Sequence, residues 1–297
     1  MKRILTLFFL LIFVMAACQQ EKKQHEKAEH KLVFVAATPD SLRTPESVFY
    51  CPSGNFLFVS NINGKPLDKD GNGFISKIDL NGNIIDLRWV QGLNAPKGMG
   101  VADHKLYVTD IDRLVIIDID SARIIQTIPV QGAKFLNDIA IDKNGNVYIS
   151  DSQNNLLYRF NGDTVEVFAK DLKGANGLYF LNDSVLYVGC ADRLAAVNIN
   201  SGKVSTVMKV NTVMIDGLKK VCPKENEFIT TDWQGKIFLL NPDENEMTLL
   251  MEFPDSTKNA ADVEFIMDKH LLYIPTFFNN TVEIYKLTAS DEDKDKD

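Results

Sequence analysis

Histidine and cysteine are scarce in this chain, with four of each, and no two cysteines form a C-x-x-C pair. Cys/His zinc modules and thioredoxin-like redox motifs need such ligands at fixed spacing, so both are excluded. Excess positive charge is also missing: 32 Lys and Arg stand against 40 Asp and Glu, a net charge of −8. Without a basic surface there is no counterion release to drive phosphate-backbone binding, so nucleic acid is not an expected partner. No G-x-S-x-G elbow and no G-x-x-x-x-G-K phosphate loop occurs, which removes the usual serine hydrolases and P-loop nucleotide enzymes. Only 10 prolines and 17 glycines are present, and no amphipathic stretch reaches helical length. Collagen-like, low-complexity and two-domain α/β architectures are therefore excluded. What remains is 297 residues, 45% hydrophobic and 24% charged, a composition able to bury a full core.

What the chain does contain is repetition. The strand-like segments "FLFVSN", "KLYVTD", "NVYISD", "VLYVGC", "EFITTD" and "LLYIPT" align on Val59, Val108, Ile149, Val188, Ile229 and Ile274, at gaps of 49, 41, 39, 41 and 45 residues. A period near 43 falls in the range of β-propeller blades, four-stranded sheets that cannot bury their faces alone. Further apolar segments follow each aligned strand, separated by turns such as "PSGN" and "KNGN" that supply residues for positive φ. The sixth unit lacks a fourth strand, while "KLVFVAA", Lys31 to Ala37, precedes the first unit without a partner. The expected fold is an all-β, six-bladed β-propeller over residues 32–288, closed by this N-terminal strand, which removes both open sheet edges.

The N-terminus reads as an address. Lys2 and Arg3 precede an apolar run from Ile4 to Val14, and Met15, Ala16, Ala17 and Cys18 follow. The 14 residues from Ile4 to Ala17 fall short of the roughly 20 that a membrane-spanning helix needs. Residues 1–17 are expected to be a secretory signal peptide. The ending "VMAAC" resembles a bacterial lipobox, which implies lipid modification of Cys18 and a membrane partner through that anchor. Gln19, standing where an Asp would signal retention, resembles the outer-membrane sorting class of envelope lipoproteins. Residues 18–31 read as a solvated tether and 289–297 as an acidic tail. Cys51, Cys190 and Cys222 are then an odd number in an exported chain. At least one thiol is unpaired, and buried structural cysteines are expected.

Counting back 11 to 13 residues from each aligned residue gives Glu46, Lys97, Asn137, Asn176, Asp216 and Asp262, all polar and all just before an apolar strand. In a propeller the innermost strands run along a central channel, so this position recurs around the channel mouth. Carboxylate and amide oxygens arranged so would suit a hard cation, calcium above others. Local turn or capping residues at strand entrances would leave the same pattern.

The motifs resemble those of the family of senescence marker protein, gluconolactonase and luciferin-regenerating enzyme. The family's first-blade motif appears as "ESVF" with Glu46, and the next as "NDIAID" with Asn137 and Asp138. Two more appear as "NGLYF" with Asn176 and "DGLKK" with Asp216. The resemblance covers nearly the whole mature chain. It implies metal positions at Glu46, Asn137, Asn176 and Asp216, with Asn137 also touching substrate. The Pro and Trp of the first motif are absent, and Phe135 stands where sugar-lactone hydrolases of the family often carry a substrate-gripping Arg. Lys97 and Asp262 are not carried over from the family, and read as a channel-facing ion pair, or as substrate-facing residues, a gate and a spare base.

The resulting expectation is a calcium-type metal-dependent hydrolase of a small lactone or ester, with Asp216 or Asp138 as base or nucleophile. The alternative is a non-catalytic exported propeller that binds a small ligand or a protein partner. A separate segment, "DKDGNGFISKID" from Asp68 to Asp79, partly matches a calcium loop. Asp68, Asp70 and Asn72 are thus candidates for a second calcium, with a plain Gly/Asn turn as the other reading.

Overall fold

The computed structural model describes residues 30–254 and 258–289. The signal segment, Cys18 and the tail from residue 290 lie outside them. Six four-stranded antiparallel sheets follow one another, five built inside to outside in chain order and the sixth completed on its outside by the N-terminal strand. Their innermost strands are Pro45–Cys51, Pro96–Ala102, Leu136–Ile141, Leu178–Asn182, Leu218–Lys220 and Glu264–Ile266, in blades 1 to 6. Among the described residues there is no α-helix, only two single 3-10 turns, Met267–Lys269 and Phe277–Asn279. No helix among them is long and apolar enough to cross a membrane.

Closure is as the strand count requires. The strand His30–Ala37 pairs antiparallel with Thr281–Ala289, from His30 opposite Ala289 to Ala37 opposite Glu283. It starts two residues inside the segment expected to be tether. Thr38 fastens the end of this strand, since its amide donates to the Val282 carbonyl and its hydroxyl accepts from the Val282 amide.

The six aligned residues, Val59 to Ile274, are fully buried. Each blade presents two apolar faces, and the core is accordingly divided among six seams between neighbours. One seam packs Tyr148, Leu157 and Leu172 of blade 3 on Leu186 and Val188 of blade 4. The seam that completes the ring packs Leu42, Val48 and Leu57 of blade 1 on Tyr273, Val282 and Ile284 of blade 6. Cys51, Cys190 and Cys222 are all free thiols, the first two buried in such seams.

Candidate functional site

Three local devices aim side chains at the channel mouth. The first is a break in strand register at the entrance of the inner strand. Glu46 lies in a break between Pro45 and Ser47, Lys97 in one between Pro96 and Met99, and Asn137 in one between Leu136 and Ile139. An irregularity of this kind re-aims a side chain that regular alternation would bury between blades.

The second device pins the loop before the inner strand to the end of its neighbour. Asn61 Oδ1 accepts from the Arg43 amide, Asp110 from the Asn94 and Ala95 amides, and Asp151 from the Lys134 and Phe135 amides. In blade 5, Thr212 donates its hydroxyl proton to Asp232 at 2.6 Å. Each anchor sits two to four residues ahead of Glu46, Lys97, Asn137 or Asp216. Blade 4 carries Cys190 at this place, its thiol pushed up to about 12 by burial. There the Asn176 amide bonds the Gly189 carbonyl instead.

The third device is glycine directly after Lys97, Asn176 and Asp216. A Cβ on Gly98 would lie 2.5 Å from the Asn137 carbonyl oxygen, and one on Gly177 would overlap the Asp216 carbonyl oxygen. Only glycine lets neighbouring inner strands approach this closely around the axis.

These devices bring Glu46, Lys97, Asn137, Asn176 and Asp216 to the floor of one cavity of about 460 Å³. Asn176 Nδ2 donates to Asp216 Oδ1 at 2.7 Å, and Asn137 Nδ2 donates to Ser152 Oγ at 3.3 Å. Both amides thus spend their donors sideways, and the buried oxygens Asn137 Oδ1, Asn176 Oδ1 and Glu46 Oε2 have no hydrogen-bond partner. Unpartnered buried acceptors are costly and call for an explanation.

The titration of the floor fits that picture. Burial first, then the nearby Asp216 charge, raises Glu46 well above the carboxylate range, with Lys97 opposing. Burial first, then Asp262, pushes Asp216 up to about 7, against the Asn176 hydrogen bond. Lys97 is 1% exposed, and burial lowers its pKa against the pull of Glu46. Its ammonium donates to the Ala95 and Pro66 carbonyls and lies 4.6 Å from the centre of the Phe135 ring.

Asp138 and Asp262 do not line this cavity. Asp138 accepts the Ile139 and Leu178 amides at 2.7 and 2.6 Å, which ties blade 3 to blade 4 and uses both its oxygens. Asp262 accepts the Ser47 hydroxyl at 2.6 Å, while its amide donates to the Glu46 carbonyl. With Lys219 and Glu264 they form a buried charged layer. Burial works against the Lys219 ammonium, but Glu264, Asp262 and Asp138 outweigh it and hold its pKa above the ordinary value. Burial, opposed first by Lys219, brings Asp138 up to about 6.

Apart from Phe135, the walls were not foreseen in the sequence. Ile62, Pro66, Phe135, Met214, Trp233, Phe277 and Phe278 enclose the space above the floor. Ile62 and Pro66 belong to the long loop that widens the first repeat gap, so that insertion builds one side of the cavity. In the same loop Asp70 accepts both the backbone and side-chain amides of Asn72, forming a local turn. His104 and His270 lie in left-handed turns at the opposite ends of their inner strands.

Among the described residues no three His, Cys, Asp or Glu side chains gather closely enough to hold a metal by themselves. A cation on this floor would rest on two carboxylates and two amide oxygens. The unpaired oxygens fit such an ion, since hard cations take carboxylate and amide oxygens alike.

The chain is therefore a six-bladed β-propeller with a polar floor and an apolar cavity at one mouth of its channel. Its sequence matches no family profile, and no curated protein matches it. Its fold is shared with solved propellers. A streptogramin B lyase structure is similar with a TM-score of 0.61 at 12% identity, over 88% of this chain and 98% of that one. The WD40 propeller domain of Doa1 gives 0.61 at 11%, over 81% and 77%. An inactive virginiamycin B lyase from Staphylococcus aureus, solved with quinupristin, gives 0.56 at 16%, over 88% and 100%. At such identities the likeness shows the propeller fold alone.

Proposed function

We propose that this protein is a divalent-cation-dependent hydrolase of a small lactone or ester, similar in its floor residues to the gluconolactonase and senescence marker protein family. The observation that carries the proposal is the set of unpaired buried oxygens on Glu46, Asn137 and Asn176 beside Asp216 in one cavity. These four residues would hold the ion, calcium by their chemistry. Such an ion, when bound, supplies an electrophile for a carbonyl oxygen.

The chain's own groups do the rest. Asn176 fixes Asp216 through one carboxylate oxygen and leaves the other to take a proton from water. Water's oxygen bonds the carbonyl carbon, the acyl–oxygen bond breaks, and the proton held by Asp216 passes to the leaving oxygen. The products are a carboxylic acid and an alcohol, joined in one molecule when the substrate is a lactone. Asp138, with both oxygens engaged, is not assigned this role. By the same reading the protein is an exported envelope lipoprotein, held to a membrane through Cys18.

Two of the solved neighbours are lyases, one of them made inactive by a His→Ala change. No histidine lines this cavity among the described residues, so we do not propose a histidine-dependent route. A non-catalytic ligand-binding propeller is the second reading, favoured by Lys97, whose side-chain nitrogen already occupies the floor, held by the Ala95 and Pro66 carbonyls.

The test is hydrolysis of a lactone and ester panel by chelator-stripped protein, with and without calcium. The wild type should be active only with calcium, and Asp216→Asn should lose about 10²–10⁴-fold in rate. Asp262→Asn should keep its calcium dependence. Calcium-independent ligand binding with no turnover on any panel member would select the second reading instead.

A further inference from the structure

One or two residues past the end of each second strand stand, around the ring, Ile62, Ile111, Ser152, Ala191, Trp233 and Phe277. They form a tier, of which Ile62, Trp233 and Phe277 line the cavity above the polar floor. Its bulk is one-sided: large apolar groups stand on blades 5, 6, 1 and 2, and small residues on blades 3 and 4. The aromatic side is preformed. Trp233 meets Phe277 edge-to-face with ring centres 4.9 Å apart, and Phe277 meets Phe278 likewise at 4.9 Å. Phe277 is buried in one cluster with Ile62, Ala95 and Ile111, so the wall is held without help from a ligand. Phe278, by contrast, is 58% exposed at the rim although it lines the cavity. An aromatic face left open beside a cavity is a feature of ligand sites, where apolar walls surround a few polar groups.

Apart from the exposed Lys65, the wall side chains are apolar and offer little to hydroxyl groups. Ser152, the tier's one hydroxyl, donates to the Ala175 carbonyl and accepts from Asn137. The Lys97 ammonium is held by two backbone carbonyls. A sugar-like body would lose its hydrogen bonds to water on entering and regain few. A flat hydrocarbon body would cover the open faces of Trp233 and Phe278 and displace water from them.

We infer that the site takes an aryl-bearing lactone or ester, its carbonyl directed to the floor and its ring against Trp233, Phe277 and Phe278, and not a polyhydroxylated lactone. The inference rests on the hydrolase reading for turnover, while its binding half stands apart from it. Hydrolysis of such a lactone consumes one water and releases an aryl hydroxy acid, with no other reactant.

The experiment has two arms on the calcium-loaded, full-length protein. Calorimetry measures binding of 3,4-dihydroquinolin-2-one, an unreactive lactam of the proposed shape. Kinetics compares dihydrocoumarin with glucono-1,5-lactone. The lactam should bind, and Phe278→Ser should weaken it at least tenfold, with calcium affinity unchanged. The same change at Phe34, which is 56% exposed on the outer closing strand, should leave lactam binding as it was. Dihydrocoumarin should exceed gluconolactone in kcat/KM by at least a hundredfold. Lactam binding without turnover of either ester would keep the ligand class and remove hydrolysis. Preference for gluconolactone would overturn the inference while keeping hydrolysis, and no lactam binding, or binding indifferent to Phe278→Ser, would overturn it outright.

Discussion

Glu46 and Asp216 are buried within Coulombic reach of each other, and in the absence of a cation neither ionises readily. The unfolded chain would titrate them near 4, whereas burial raises both in the native state and brings Asp216 to about 7. Between those values the native protein binds more protons than the unfolded one, so these groups' stability is full below about pH 4 and lost as pH rises through 7. In chelator, the melting temperature of the wild type should therefore fall between pH 5 and 8, and calcium should reduce the fall by neutralising what protons no longer do. Asp216→Asn, with no proton to exchange, should lose part of the slope. Equal slopes in the two proteins would show that Asp216 titrates alike folded and unfolded.

The floor residues were legible because polarity recurs at one place in six repeats, a place otherwise followed by apolar strand. Of the wall residues, Ile62, Trp233 and Phe277 recur near the end of each second strand, but the types at that place run from Ile to Ser to Trp, so a reading by residue type passes over them. The division between Asp216, which faces the cavity, and Asp138 and Asp262, which lie outside it, was not legible either. It depends on contacts between blades, which turn Asp138 to the Leu178 amide and Asp262 to the Ser47 hydroxyl.

Among elements, the inner strands carry the most constraint. They are short, only Leu218–Lys220 in blade 5 and Glu264–Ile266 in blade 6, and their neighbours approach closely at glycines. A methyl group at Gly177 has no room beside the Asp216 backbone. Gly177→Ala should cost about 1–3 kcal/mol by overpacking, measured by denaturant unfolding, and should weaken calcium binding because Asp216 must shift. A variant with wild-type stability and affinity would mean that the strands separate freely at the axis. The repeat period gave away the strands because one blade differs from the next by only a few residues of turn. The exception, the long loop of blade 1, was legible as extra length, while its use as a cavity wall emerged only once blade 1 stood beside blade 6.

At the scale of the molecule, six interblade seams share the core, and the ring is held shut by pairing between the two ends of the described chain. The missing fourth strand of the last repeat and the unpartnered strand before the first made this closure legible. The described core begins at His30, twelve residues after Cys18, so a lipid on Cys18 would be attached outside the described fold. Cys18→Ser should release the protein from membranes into the soluble fraction with an unchanged melting temperature. Retention in the membrane fraction would remove the lipid anchor from the account.

The central claim is that the floor is a cation site. Its most direct measurement is a crystal structure of calcium-soaked protein with an anomalous difference map recorded at long wavelength. The account predicts one strong peak in contact with oxygens of Glu46, Asn137, Asn176 and Asp216. A calcium-soaked crystal with no peak there, and Lys97 turned in to pair with Glu46, would contradict it.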